Sequence, residues 1–539
     1  MFCIPPHLQE EVQRPRYEIS QPVNLDSVLR PLQPFGRRPT YTPGSYLPIS
    51  RDNEMEKNAW DMEKQSYDLT TQSNGTSPRK TRKIPISLRL IIILSFLICQ
   101  LIFHPFSLPF SAQSRSAQSL DSTLVKHCQS LLTPPEGIYT DRLEYLSSIL
   151  PNDTVWISEP SPSTEYYTSF SKDKWFLSER PFLISIINSQ IVILTPAFEA
   201  LRASLIVKEL PEEVRDKVQW VEWREDQSPY AVLSTYLAKR GVERFVLDDG
   251  VREFIGRGLR KKMDEVTGSG LEDKVREVRE RKGDWEIGLL RCSNQFTLHA
   301  IRKTRERMYI GITESQTSKI LEEEMGKTGL IGGEGLVLFG ENAALPHGSG
   351  TDRQLTKKDL VLIDAGGKWG GYVSDITRTF ALSSSTISNS HTELWETVRR
   401  SQRAPYEMLL KSNASLTFGD LDKSARQVVT EWKCQDSDVD EDEAEVDFSI
   451  FTHRLGHGIG LEGHESPYVI QGPQGKRQIQ EGNVFSLEPG IYLPSNHEEV
   501  NGFKGIGVRL EDCFVLRKGE DGKWGGEWLS GPVEGWGDV

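Results

Sequence analysis

Apolar positions are distributed along this chain in distinct textures. Residues 1 to 83 show no apolar periodicity. Nine prolines fall in the first fifty positions and Ser, Asn, Arg and Glu dominate the remainder, which predicts a disordered tail. The segment 84–110 is strongly apolar: from Leu90 to Phe103 only Ser95 and Gln100 interrupt it. Extended to Phe110 it reaches the ~20 residues that cross a bilayer. Arg79, Lys80, Arg82 and Lys83 precede it and only Arg115 follows closely, which predicts a signal anchor with the tail cytoplasmic and everything after residue 110 lumenal or extracellular. A cleaved signal peptide ending near "FSAQS" is disfavoured by the long leading segment, unless translation starts at Met55 or Met62. A buried core helix in a cytoplasmic protein is the other alternative.

From residue 120 the pattern becomes globular. "FLISIINSQIVIL" (182–194) reads as two strands around an Asn-Ser turn. A helical stretch from Phe198 to Lys208, the strand "VQWVEW", the helix "PYAVLSTYLAKRG", the strand "RFVLDD" and a helix near 251–264 follow. Such alternation predicts an α/β unit over 120–283, ending near the charged segment "LEDKVREVRERKGDWE". A second unit, 284–525, opens on the helical "LLRCSNQFTLHAIRKTRERMYIG". Within "TESQ", Thr313 and Gln316 form a capping box that starts the next helix. Strands with Gly-rich turns fill 337–380 and 451–516, with helices between them at 391–433. The fold class expected is therefore α/β (α+β).

Composition narrows the reading. At 539 residues the chain exceeds one domain, and a formal charge of −13 excludes a general nucleic-acid binder, which needs a basic face. Six scattered cysteines without C-x-x-C spacing exclude a zinc ribbon and a disulfide framework. They read mostly as fillers, with one or two disulfides if the domain lies outside the cytosol. Under the membrane topology, the sequons at Asn152 and Asn413 would be glycosylation sites, unlike the one at Asn74. "DSDVDEDEAEVD" (436–447) lacks the glycine of a calcium loop and reads as a solvated insertion.

The chemistry sits in the second unit. Asp364 and Asp375 lie eleven apart in "DAGGKWGGYVSDITRTF", where a hairpin would bring both carboxylates together. Glu488 in "VFSLEPGIY" and Glu511 in "GVRLEDCFVL" sit inside apolar strands, a costly position for a carboxylate without a partner. "HRLGHGIGLEGHESP" adds His453, His457 and His464; alone it suggests a trihistidine site, but its glycines argue against a helix stacking three ligands. Clustered carboxylates cannot all ionise without cations. Two bridged divalent ions would neutralise them, lower the pKa of a bridging water and polarise a carbonyl. Oxygen-rich ligation with one or two imidazoles suits Mn²⁺ best, with Zn²⁺, Co²⁺ or Fe²⁺ as substitutes.

In this order and context, "DAGG", "SDITRTF", "HGIGL", "EPGIY" and "VRLED" resemble the five-ligand signature of the pita-bread metallopeptidases, the group of aminopeptidase P, prolidase and methionine aminopeptidase. The resemblance covers 285–520 strongly. More weakly, the preceding α/β unit resembles the creatinase-type N-terminal domain, which methionine aminopeptidases lack. The resemblance implies that Asp364, Asp375, His457, Glu488 and Glu511 bind the metals, with Asp375 and Glu511 bridging. It makes Glu488 the proton-accepting base and gives His464 the oxyanion or the leaving nitrogen. His347 (in "ENAALPHGSG"), His453 and Tyr492 would line the substrate pocket, and Arg509 would hold neighbouring carboxylates. Of the three histidines in the glycine-rich stretch, only His457 would be a ligand.

The activity so implied is Xaa-Pro aminopeptidase, acting on peptides with proline second, with prolidase as the alternative; a homodimer is a further expectation. Dipeptide-cleaving relatives carry an arginine shortly before the "EPG" glutamate for the substrate carboxylate. Here Lys476 and Arg477 lie near but out of clear register. Non-catalytic members and the metal-free creatinase have lost ligands, whereas all five positions here hold suitable residues.

Overall fold

A computed structural model of the chain describes residues 120–412, 415–434, 448–520 and 522–538. The first sheet contains β1 (Thr154–Ser158), β2 (Leu183–Ile187), β3 (Gln190–Pro196), β4 (Val218–Trp223), β5 (Arg244–Leu247) and β6 (Asp264–Glu265). Their order is β4-β3-β2-β1-β5-β6. The β2–β3 hairpin turns through Asn188 and Ser189, both at positive φ, a two-residue turn whose twist suits the flanking strands. Both faces of the sheet are covered. Trp156, Ile184 and Ile193 pack against Leu143 and Leu146 of the helix Ile138–Ile149. Val155, Ile157 and Leu194 pack against Leu233 and Leu237 of the helix Pro229–Ala238. Two-sided burial explains why these strands read as unbroken apolar runs rather than alternating ones.

The charged segment after the sheet is a helix, Leu271–Glu280, with Leu271 and Val275 buried. It leads into the long helix Asp284–Arg307 and then Glu314–Thr328, whose Thr313–Gln316 capping box is formed. These two helices cover β7 (Ile331–Phe339) and β8 (Val361–Trp369), in the sheet order β10-β8-β7. β9 (Tyr372–Val373) folds back on β8 and continues into β10 (Ile376–Phe380). A five-stranded sheet contains β11 (Gly456–Gly458), β12 (Glu465–Val469), β13 (Val484–Leu487), β16 (Asp512–Lys518) and β17 (Trp524–Trp528), ordered β12-β11-β13-β16-β17. β14 (Gly490–Leu493) pairs with β15 (Ile506–Arg509). Over these pack the helices Asn389–Lys411 and Phe418–Lys433, through Trp395, Leu421 and Val429 against Phe485 and Phe514.

One expectation is corrected. Among the described residues no helix is long and apolar enough to cross a membrane. The longest, Asp284–Arg307, is studded with charges and spends its apolar side on the protein core. The expected single-pass membrane localisation, with its N-terminal anchor, is therefore not upheld; the run 84–110 on which it rested lies outside the described residues. The tail 1–83, the acidic stretch 436–447, Asn74 and Asn413 lie outside them too, while Asn152 is exposed. Among the cysteines, Cys128 and Cys292, separated by 164 positions, form a disulfide with Cα atoms 5.8 Å apart, within the one or two allowed for. It ties the helix Ser122–Ser130 to Asp284–Arg307.

A cross-link closing so long a loop restricts the unfolded chain by about 4–5 kcal/mol on the chain-entropy estimate. The double variant Cys128→Ser/Cys292→Ser is expected to unfold at a lower temperature by calorimetry. Reducing agent should lower the wild-type midpoint by more than it lowers the variant's, in which Cys434 is still disulfide-bonded.

Candidate metal centre

The centre is assembled from strand ends. Asp364 lies in β8 directly opposite Thr377 of β10. The connecting turn passes through Gly370 and Gly371 at positive φ and returns the chain so that Asp375 follows β9. Gly366 permits the close approach, because a Cβ there would lie 2.3 Å from the Ser374 carbonyl oxygen. The hairpin expected from the aspartate spacing is thus formed. Glu488 follows β13 and donates its N–H to the Leu455 carbonyl at 2.7 Å; Glu511 follows β15 and donates its N–H to the Thr377 carbonyl at 3.0 Å.

His457 occupies β11, buried to 1% exposure, and its N–H donates to Ser486 Oγ. Its Nδ1 lies 3.2 Å from the Gly458 carbonyl, so the proton belongs there and the Nε2 lone pair is free. That Nε2 faces Glu488 at 3.3 Å, Asp375 at 3.6 Å and Glu511 at 3.7 Å. Three overlapping groups have the spacing to hold a metal ion: Asp364–Asp375–Glu511, His457–Glu488–Glu511 and Asp375–His457–His464. Distance alone therefore does not separate His464 from the ligands, since its Nε2 is 4.0 Å from Asp375. The two histidines differ in exposure: the His464 side chain is 62% exposed and that of His457 1%.

The electrostatics call for cations. Burial, reinforced by Glu511, Asp364 and Glu488, pushes the Asp375 carboxyl far above its usual range. Burial and Glu511 do the same to Glu488, and burial with Asp364 raises Glu511 to about 8. Burial drives His457 down to about 3, so it is neutral. Glu511 Oε1 is buried without a hydrogen-bond partner. An orphaned carboxylate oxygen among mutually repelling carboxylates, facing a free imidazole lone pair, fits divalent cations.

Around the centre runs a set of bonds anchored on Arg509. Its Nη2 meets Asp364 at 2.7 Å, its Nη1 donates to Tyr492 Oη at 2.9 Å, and its Nε donates to Thr377 Oγ1 at 3.0 Å. Thr377 in turn donates to Glu511 Oε2 at 2.8 Å. His453 Nδ1 is 2.7 Å from the Arg454 carbonyl and must be the donor; its Nε2, 2.8 Å from Tyr492 Oη, accepts. Burial and nearby Arg509 lower His453 to about 3. His347 is exposed, one residue after Pro346, whose carbonyl accepts from Arg509. Arg477 is engaged by Glu280 at 2.7 Å and Glu277 at 3.1 Å.

Sequence reading missed three supports. Thr377 looks like any strand threonine. Ser486 is hidden in an apolar strand. On the helix Phe418–Lys433, Asp422 and Arg426 form a buried ion pair at 2.7 Å. Arg426 donates to the Phe451 and His453 carbonyls and Asp422 accepts from the Leu455 N–H, holding the segment that carries His453. The i,i+4 pair falls on the helix's apolar side, the one signal that betrays it.

Such a centre on such a scaffold is that of a metallopeptidase. Residues 288–518 match the model of metallopeptidase family M24. An uncharacterised peptidase of Schizosaccharomyces pombe is 35% identical over 391 residues, 70% of this chain and 79% of that one. A Xaa-Pro dipeptidase of Pyrococcus horikoshii is 28% identical over 285 residues, 52% of this chain and 73% of its own length. Among solved structures, a dipeptidase from Pyrococcus horikoshii superposes with a TM-score of 0.55 at 24% identity, over 75% of this chain and 98% of that one. An alanine variant of Escherichia coli aminopeptidase P gives 0.57 at 19% identity, over 74% and 95%. The chain belongs to metallopeptidase family M24 and has the pita-bread fold.

Thr377→Val keeps the volume but leaves Arg509 Nε and Glu511 Oε2 without their shared partner. Loss of such support typically costs about 10- to 100-fold in metal affinity. Calorimetric titration with Mn²⁺ is expected to show that weakening; wild-type affinity would contradict the role given to Thr377.

Proposed function

We propose that this protein is an Xaa-Pro aminopeptidase, hydrolysing the bond between an N-terminal residue and a following proline at a site for two divalent ions. Manganese best matches four carboxylates and one imidazole. The observation that carries the reading is the convergence of Asp375, Glu488 and Glu511 on His457 Nε2, with Glu511 Oε1 unpaired. Asp364, Asp375, His457, Glu488 and Glu511 would hold the ions, with Asp375 and Glu511 serving both sites. When bound, such a pair supplies a water of lowered pKa and polarises the scissile carbonyl.

The chain's own residues do the rest. Glu488, 15% exposed, takes the proton of the attacking water on its carboxylate. His464 stabilises the developing oxyanion or passes a proton to the proline nitrogen as it leaves. His453, neutral and bonded to Tyr492, forms a wall of the substrate pocket, with His347 on its exposed rim. Arg509 holds Asp364 and Tyr492 in register, so a lysine there, lacking the planar fork, would not serve.

A dipeptidase is the second reading, favoured by the relatives named Xaa-Pro dipeptidase. Against it, Arg477, the basic residue nearest the expected carboxylate anchor, already spends its guanidinium on Glu280 and Glu277. Residues 120–539 with Mn²⁺ are expected to release the first residue from an Xaa-Pro-Yaa peptide. Chelator, or Glu488→Ala, should each abolish release; activity surviving both would sink the mechanism. Offering Xaa-Pro and Xaa-Pro-Yaa in the same assay separates the two readings, with the longer peptide expected to be cleaved at the higher kcat/KM.

A further inference from the structure

Outside the residues already assigned, the most heavily invested ion pair near the centre is Glu465. Its side chain is 8% exposed and carries two cations: Lys282 Nζ at 2.6 Å on Oε1 and Arg279 Nη2 at 2.6 Å on Oε2. Lys282 is 1% exposed, and Arg279 also reaches Glu462 and the Ser163 hydroxyl. Both cations precede residue 288, where the metallopeptidase match begins. Arg279 lies on the helix Leu271–Glu280 that follows the first sheet, and Lys282 just after it.

Two contacts carry this clamp to the centre. Glu465 directly follows His464, whose ring centroid is 4.0 Å from that of His457, and Glu465 pairs with Gly458 across the β11–β12 irregularity. Gly460 abuts the clamp: a Cβ there would lie 2.6 Å from Glu465 Oε1 and 3.0 Å from Lys282 Cε. The Gly460 carbonyl accepts the Val373 N–H at 2.8 Å, two residues ahead of Asp375. One buried carboxylate thus borders the His464 segment directly and reaches the Asp375 hairpin through Gly460.

We propose that Glu465 is a positioning residue: clamped by Lys282 and Arg279, it fixes His464 and the Asp375 hairpin relative to each other and so makes the helix before the metallopeptidase region part of its machinery. The proposal rests on the peptidase reading above. A buried carboxylate held by two cations cannot shift without leaving charge unpaired, and displacements of about 1 Å in a catalytic group can cost on the order of 100-fold in rate.

The test is Glu465→Gln in the full chain with Mn²⁺. On an Xaa-Pro-Yaa peptide, kcat is expected to fall about 10-fold or more with KM within about 3-fold. In metal-free ¹⁵N-histidine-labelled protein, where no paramagnetic Mn²⁺ broadens the signal, the imidazole resonance lost in His464→Asn should also move. If Glu465→Gln does not fold, Lys282→Met/Glu465→Gln removes both charges while Glu462 still pairs Arg279, and the same two readouts apply. A lowered melting temperature with kcat and the His464 resonance at wild-type values overturns the proposal. Wild-type protein inert towards every Xaa-Pro peptide would defeat the peptidase reading instead; the resonance still decides the clamp.

Discussion

Four clustered carboxylates, three of them facing one neutral imidazole, set the terms for this structure. Like charges at this spacing repel, and burial removes the water that would screen them. Among the described residues Arg509 is the cation paired with the group, and it meets Asp364. The arrangement survives because strand ends and a tight hairpin hold each carboxylate by its backbone. What is unfavourable as bare protein becomes a strong preference for divalent cations.

The scaffold meets that strain with buried ion pairs placed one layer out. Arg378 and Asp512, both nearly inaccessible, join β10 to β16 at 2.7 Å, and Asp512 also accepts from Ser530 and Gln402. Asp422 and Arg426 pin the segment before His457. Each pair makes further hydrogen bonds, which is how buried charge is tolerated, although Arg378 Nε is left without a partner. Breaking one partner of any of them would leave a charge with nowhere to go, so the layer behaves as a unit.

Much of the centre was legible because it breaks a rule. Glu488 and Glu511 are charged residues inside apolar strands, and the glycines of the Asp364–Asp375 stretch mark a turn, so a shared site could be read from spacing and cost. Thr377, Ser486 and the Asp422–Arg426 pair break no rule; each becomes distinctive only once its face of the strand or helix is known to point inward. The Cys128–Cys292 pairing was invisible for another reason, since partners so far apart in sequence are set by tertiary packing alone. Hydrophobicity alone does not mark a span: the longest described helix, Asp284–Arg307, buries its apolar side in the protein.

The disulfide has a topological side. Cys128 and Cys292 bracket the whole six-stranded sheet and the helix that follows it. A single backbone cut anywhere between them leaves one covalent molecule, whose pieces come apart only under reduction. The sheet is consequently not a detachable accessory to the catalytic region. A protease that nicks an exposed loop of it opens a ring and releases nothing, because the strands before the cut stay joined through Cys128 to Cys292.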